Sequence, residues 1–175
     1  MIRRRRPHAL ALAVLLPLAA ATVSSCATFT DNANAARVGD VELPRADLEQ
    51  YVHDALEARD SAEVPDDFPG EVNRSILGAW IIDEMVRQYL AEVGAQITDG
   101  DRRQATAQFD EQLGGTEVSD FLRNYEIESR ATRAAFTRVA PDEGALLAFA
   151  EEADVYVDPV YGYWNLEVAS VLPMG

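Results

Sequence analysis

The chain has 175 residues, of which 30 are acidic and 15 basic, and its formal net charge at pH 7 is −15. Every basic residue is arginine, and four of them form a run at positions 3–6. Without that run, 11 basic side chains stand against 30 acidic ones, a formal charge of −19. This balance argues against nucleic acid as a partner, because neutralising phosphates requires a surplus of Lys and Arg.

The first 25 residues have the pattern of a bacterial export signal. The arginine run precedes an apolar segment from Ala9 to Ala21, which is too short to span a membrane. Val23-Ser24-Ser25-Cys26 then resembles the lipobox of bacterial lipoproteins, with valine where the box prefers leucine. The resemblance implies that Cys26 is diacylated and becomes the first residue after cleavage. The mature chain would then be lipid-anchored at the extracytoplasmic face of the cell membrane.

Other roles for Cys26 need partners that the sequence does not supply. A thiolate nucleophile needs a base and an orienting group, a metal site needs several ligands, and a disulfide needs a second cysteine. Cys26 is the only cysteine, and His53 is the only histidine left once His8 leaves with the signal. Secretion with a free thiol and an uncleaved signal anchor remain as alternatives. Two acyl chains would give stable anchoring, which an acidic chain lacking a basic patch needs.

The region after Cys26 begins with a tether and a hairpin. Residues 26–36 are small and polar, and a flexible segment of this length has a root-mean-square span of about 17 Å. Residues 36–44 are predicted to form a short hairpin with its turn at Gly39-Asp40. Pro44 opens a helix with one apolar face, formed by Leu48, Tyr51, Val52, Ala55 and Leu56. The acidic, proline-containing segment 60–69 is predicted to be a loop.

Two helices with clear end signals follow. Apolar residues recur every three or four positions from about Gly70 to Val93, and Gly94 is well placed to end this long helix. Thr98 and Asp101 have the spacing of a capping box and predict the start of the next helix, which runs to about Leu113 before two glycines.

The rest of the chain is predicted to be helical and then strand-like. Thr116 begins a short helix, 127–139 continues helically, and Pro141 starts a last helix that is expected to bury Leu146, Leu147 and Phe149. Val155-Tyr156-Val157 and 166–172 have strand-like composition. Because strand pieces lie at both ends of a helical chain, we expect the termini to pair. The sequence therefore predicts one mainly α domain over 37–175.

Three segments of the mature chain resemble the N-terminal chaperone domain of SurA-type periplasmic foldases, especially the lipoprotein versions found in actinobacteria. They are residues 36–48, where a short turn leads into a helix; 90–101, where the long helix ends in glycine and a capped helix follows; and 153–164, similar to the closing strand. Together they bracket nearly the whole mature chain. The resemblance implies a SurA N-terminal-like fold that binds unfolded exported polypeptides.

The chain departs from many relatives in one respect. They carry a parvulin peptidyl-prolyl isomerase domain of roughly a hundred residues between the last core helix and the closing strand. Here only residues 140–154 separate those elements, so no isomerase domain fits. We expect binding without catalysis and no cofactor. The alternative is an adaptor or structural lipoprotein that docks one dedicated partner of the cell envelope.

Aromatic residues are the candidates for peptide binding. The resemblance suggests a groove for apolar segments, whereas helical spacing is more typical of core residues. Tyr161, Tyr163 and Trp164 lie in a polar region and are candidates for partial exposure, with packing against the opening hairpin as the other interpretation. The full candidate set is Trp80, Tyr89, Phe109, Phe121, Tyr125, Tyr161, Tyr163 and Trp164.

The remaining polar groups are interpreted as surface. Three carboxylate pairs, Asp66-Asp67, Asp99 with Asp101, and Glu151-Glu152, lack the alternate ligand spacing of a calcium loop and are typical of helix starts and solvated faces. His53 lies off the apolar face of its helix and is expected to be exposed. No metal site or catalytic residue is predicted.

Overall fold

The computed structural model describes residues 33–58, 68–139 and 143–175. Cys26, the predicted export signal and most of the predicted tether and loop lie outside these ranges. The described elements, in chain order, are β1 Asn34–Val38, β2 Val41–Pro44, α1 Arg45–Glu57, α2 Phe68–Glu92, α3 Asp99–Leu113, α4 Asp120–Val139, α5 Glu143–Glu152, β3 Val155–Val157, β4 Tyr163–Asn165 and β5 Ser170–Leu172. The predicted mainly helical fold with short strands is confirmed.

A three-stranded antiparallel sheet joins the two ends of the domain. Its order is β2-β1-β3, so the predicted hairpin and the predicted pairing of the termini are both confirmed. Gly39 has a φ of 57° in the hairpin turn, a conformation that glycine adopts without steric cost. Arg45 and Asp158 form an ion pair of 2.6 Å that joins the start of α1 to the end of β3. β1 begins at Asn34, inside the segment predicted to be the tether.

Helix α2 is the centre of the core. Leu77, Ile81 and Met85 recur at helical spacing on α2 and are at most 2 % exposed. They belong to the same buried cluster as Ala36 and Val38 of β1. Because α2 also packs against α1, α4, α5 and β5, three of the other helices and both sheets share one hydrophobic support.

Helices α3 and α4 form an antiparallel hairpin, and capping interactions set both ends of α3 and the start of α4. The Thr98 side chain accepts a hydrogen bond from the Asp101 backbone, and the Asp101 side chain accepts one from Thr98, which confirms the capping box. Gly114 ends α3 with a φ of 58°. The start of α4 differs from prediction: it begins at Asp120, because Ser119 Oγ accepts the Leu122 backbone N–H and so caps the helix there.

Two predictions near the C-terminus are wrong. Leu147 on α5 is 51 % exposed, whereas Leu146 and Phe149 pack against the core as expected. Residues 166–172 do not form one strand. A turn separates β4 from β5, and in it Asn165 Oδ1 accepts the Val168 backbone N–H. Within the described ranges, no helix is both long and apolar enough to cross a membrane.

Candidate functional site

A cleft of about 560 Å³ lies between α1 and the N-terminal half of α2 on one side and α3 and α4 on the other. Its apolar lining is formed by Ala55, Leu56, Ala58, Val72, Ile76, Ala79, Phe109, Leu113, Val118 and Leu122. Its polar lining includes Tyr51, Glu71, Ser75, Gln112, Tyr125, Glu126, Ser129, Arg130 and Arg133. A pocket with this mixture can hold apolar side chains while polar groups fix their orientation.

A pair of tyrosines joins α1 to α4 at the cleft. The Tyr51 and Tyr125 rings meet edge to face, with centroids 4.4 Å apart, and the Tyr51 hydroxyl donates to Glu126. Burial raises the pKa of both hydroxyls well above the ordinary value for tyrosine. Both groups therefore keep their protons at neutral pH and act as hydrogen-bond donors.

Asp83 of α2 fixes the polar side of α4. The Asp83 carboxylate is almost fully buried and accepts hydrogen bonds from Ser129 Oγ and from Arg133 Nε, the latter at 2.9 Å. Arg133 itself is about half exposed at the surface. This arrangement satisfies a buried charge and sets the position of the α4 residues that line the cleft.

Arg130 lies beside the apolar end of the same wall. Its guanidinium carbon is 5.3 Å from the centroid of the Phe109 ring, and Nη2 donates to Gln112 Oε1 at 2.7 Å. Its Nε is 3.5 Å from Glu126 Oε2 without a hydrogen bond. Tyr125 Oη is likewise buried without a hydrogen-bond partner among the described residues. Within the described residues, these two atoms are thus buried without a hydrogen bond, and Arg130 Nε faces the Glu126 carboxylate.

Asp54 links α1 to the start of α4 beside the cleft. This buried carboxylate accepts hydrogen bonds from Ser119 at the start of α4 and from Gln50 Nε2 at 2.6 Å. The hydrogen bond from Ser119 is the main cause that lowers the pKa of Asp54 below its ordinary value. His53 is 65 % exposed, as predicted. With Glu57 it completes a group whose possible metal-ligating atoms lie within 4.8 Å of one another. Both Asp54 oxygens in this group accept hydrogen bonds from other side chains.

The eight aromatic candidates lie in different surroundings, and only Phe109 and Tyr125 line the cleft. Trp80 belongs to the main core, where it is 7 % exposed. Tyr89 makes edge contacts with two rings, those of Phe136 and Phe149.

The other four candidates also lie away from the cleft lining. Phe121 and Tyr163 are 37 % and 45 % exposed. Tyr161 and Trp164 pack against the main core. The Tyr161 ring lies 5.9 Å from the guanidinium carbon of Arg45, the residue that follows the opening hairpin.

Two of the three acidic pairs lie within the described residues, and both lie at helix ends. Asp99 and Asp101 begin α3, and Asp101 also pairs with Arg138 of α4 at 3.0 Å. The Asp101 carboxylate accepts hydrogen bonds from the backbone N–H and from the hydroxyl of Thr98. These bonds lower the pKa of Asp101, and the bond from the backbone has the larger effect. Glu151 and Glu152 are exposed at the end of α5, and Asp66-Asp67 lies outside the described residues.

Sequence reasoning missed Glu126 and Arg130 as cleft residues. Their spacing of four on one helix was a signal that they share a face. Comparison with protein-family models, with curated proteins and with solved structures finds no match to this chain.

Proposed function

We propose that this protein is a membrane-anchored extracytoplasmic lipoprotein that binds unfolded or partly folded exported polypeptides without catalysis. The observation that carries the proposal is the cleft between the α1–α2 and α3–α4 sides. A cleft of about 560 Å³ accommodates a few side chains of an extended segment. The proposal agrees with the SurA-type resemblance of the sequence and with the helical fold closed by paired terminal strands.

The lining supports a polypeptide as the occupant. Leu56, Ile76 and Phe109 offer apolar contact area from three different helices. Tyrosine, serine and arginine side chains border that area and can hydrogen-bond to a peptide main chain. The charge of −19 outside the arginine run would help keep a complex with an apolar client soluble.

The lipobox-like segment supports membrane anchoring. Diacylated Cys26 would hold the domain near the membrane, where newly exported chains emerge. Feeding cells a labelled fatty acid tests this part of the proposal. We expect label on the wild-type protein and none on Cys26→Ala; an unlabelled wild type would contradict it.

Client binding is tested with the purified protein. We expect it to slow the aggregation of a chemically denatured client and to bind unfolded peptides at concentrations at which a known holdase acts. If it does neither, the proposal is wrong.

A pair of alanine variants localises this activity. Ala55 lines the cleft on α1, so Ala55→Leu places extra carbon atoms where a client would lie. Ala91 is exposed on α2 away from the cleft, which makes Ala91→Leu a matched control. We expect Ala55→Leu to weaken peptide binding at least tenfold, or about 1.4 kcal/mol, and Ala91→Leu to leave it unchanged. Equal affinities in the two variants would place binding elsewhere.

The charged part of the lining favours a second candidate, an adaptor that docks one dedicated envelope partner. Glu126, Arg130 and Arg133 are better suited to a defined complementary surface than to varied apolar clients. Cross-linking in cells followed by mass spectrometry separates the two candidates. One saturable partner would favour the adaptor, and many weakly bound clients would favour the chaperone.

A further inference from the structure

We infer that the outer face of the β4–β5 hairpin and the turn before it lie against the lipid bilayer when the protein is anchored through Cys26. The inference rests on the lipid anchor of the proposed function and adds the orientation in which the domain meets the membrane. Three apolar residues form this surface, and we call them the C-terminal apolar patch: Val160, Tyr163 and Leu172.

The C-terminal apolar patch belongs to a segment with almost no charge. Glu167 is the only charged residue from 159 to 175, whereas 26 % of the whole chain is charged. Within this segment Val160 is 71 % exposed, Tyr163 is 45 % exposed and Leu172 is partly exposed. Apolar side chains that share an exposed surface on an otherwise acidic protein are typical of an interaction site.

Strand pairing places Tyr163 and Leu172 side by side on the outer face of the hairpin. These two residues are directly opposite in the register of β4 and β5. The next pair, Trp164 with Val171, packs in the main core. Because successive side chains of a strand point to opposite faces, Tyr163 and Leu172 point away from that core. Val160 is three residues before Tyr163, so their Cα atoms lie within about 11 Å of each other.

The patch lies at the end of the domain where the chain arrives from Cys26. The Asp158 backbone N–H donates to the Ala35 carbonyl oxygen at 2.9 Å, and Val160 is two residues after Asp158. Ala33 is seven residues after Cys26, so no conformation of the intervening chain lets it lie more than about 25 Å from the anchored residue. A lipid on Cys26 would therefore hold this end of the domain close to the bilayer.

Charge also favours this face as the one that meets lipid. The chain outside the arginine run has a formal charge of −19, and an anionic leaflet repels acidic surfaces. The patch itself carries no charge, and the nearby Asp158 is paired with Arg45 at 2.6 Å. Tyr163 suits the headgroup region, because its ring is apolar and its hydroxyl is polar. The patch needs to contribute only orientation, since two acyl chains supply the attachment.

An environment-sensitive fluorophore on the patch tests the inference in the lipidated protein purified from cells. Val160→Cys and the control Val93→Cys each supply one reactive thiol, since Cys26 is the only cysteine of the chain and its sulfur would carry the lipid. Val93 is 47 % exposed just after α2, at the opposite end of β1, where Gln88 donates to the Val38 carbonyl oxygen. The labelled proteins are reconstituted in phosphatidylcholine vesicles, with or without a lipid that carries a nitroxide quencher on its acyl chain.

We expect the emission at position 160 to shift to the blue and to be quenched by the nitroxide lipid, and the emission at position 93 to show neither effect. Adding Tyr163→Asp to the labelled Val160→Cys protein should reduce the quenching, because a carboxylate is costly at the acyl boundary. Leu147→Asp is the matched control. Leu147 is 51 % exposed on α5, away from the patch, so its replacement should leave the quenching unchanged.

An unquenched fluorophore at position 160, or equal quenching at both positions, on protein that stays with the vesicles would overturn the inference and leave the lipid anchor intact. A blue shift without quenching would also overturn it, because a polypeptide or a second copy of the chain would then cover the patch. If the wild-type protein reacts with the thiol reagent and does not stay with the vesicles, the lipid anchor of the proposed function is wrong, and the inference that depends on it is wrong as well.

Discussion

Replacing Asp83 with alanine should destabilise the protein more than removing any surface ion pair. The Asp83 side chain is 1 % exposed and joins α2 to Ser129 and Arg133 of α4. Its loss leaves the buried Ser129 hydroxyl without its acceptor, which costs about 1 to 3 kcal/mol. The Arg133 guanidinium is half exposed and can return to water, so its share is about 1 kcal/mol or less. We expect a loss of about 2 to 3 kcal/mol in the free energy of unfolding.

Urea denaturation followed by far-ultraviolet circular dichroism measures this loss. For a domain near 150 residues it corresponds to a fall in Tm of roughly 4 to 12 °C. Asp110→Ala is the matched control, because Asp110 pairs with Arg123 at the surface and its loss should cost less than about 1 kcal/mol. If Asp83→Ala lowers the free energy of unfolding no more than Asp110→Ala does, the buried network does not stabilise the α2–α4 packing as argued.

Three further outcomes are expected. Thr98→Ala removes the cap of α3 and should cost about 1 kcal/mol in urea denaturation; an unchanged midpoint would contradict the role of the capping box. Gly162→Ala would place Cβ 2.0 Å from the Leu172 carbonyl oxygen at a φ of 133°, so we expect a loss of about 2 to 4 kcal/mol and a lower Tm. The pKa values of Asp54 and Asp101 are lowered from 3.8 by folding, so each stabilises the protein above that pH and the contribution is lost as pH falls further. Unfolding measured from pH 6 to pH 2 should show declining stability below about pH 4, with a shallower slope in Asp54→Asn.

Local signals were sufficient to predict most of the fold. Glycine at the hairpin turn, the capping box at Thr98 and the αL glycine at 114 act within a few residues, so their chemistry can be recognised in sequence. The apolar periodicity of α2 was equally informative, because a helix that is buried along much of its length has apolar residues at every third or fourth position. The pairing of the two ends of the chain, seen here between β1 and β3, was predicted because an isolated two-stranded hairpin is only marginally stable.

The site could not be predicted in the same way, because it depends on contacts between distant parts of the chain. Tyr51 and Glu126 are 75 positions apart, and nothing in either segment indicates that they meet. Tyr125 was identified as an aromatic candidate, but only the fold shows that its hydroxyl is buried without an acceptor among the described residues. Ser119 caps α4 and also holds Asp54 of α1, so a tertiary contact helps to fix the start of α4 at Asp120 and not at the predicted Thr116.

Exposure near the C-terminus was also decided by tertiary structure. Leu147 has the apolar character of a core residue, but it projects from α5 on the side that does not meet α2. The turn between β4 and β5 depends on Asn165 and on the left-handed backbone of Ala169, whose φ is 46°. A non-glycine residue in that conformation is uncommon, so composition alone favoured a continuous strand.

The central claim, that the cleft binds extended polypeptide, is tested most directly by photo-cross-linking. An unfolded apolar peptide carrying a benzophenone side chain is bound to the purified protein, irradiated and mapped by mass spectrometry. We predict cross-links concentrated on the facing walls of the cleft, in α1 around Leu56 and in α4 around Leu122, and lost on competition with unlabelled peptide. Cross-links concentrated instead at exposed apolar residues near the C-terminus, such as Val160 and Val168, would contradict it.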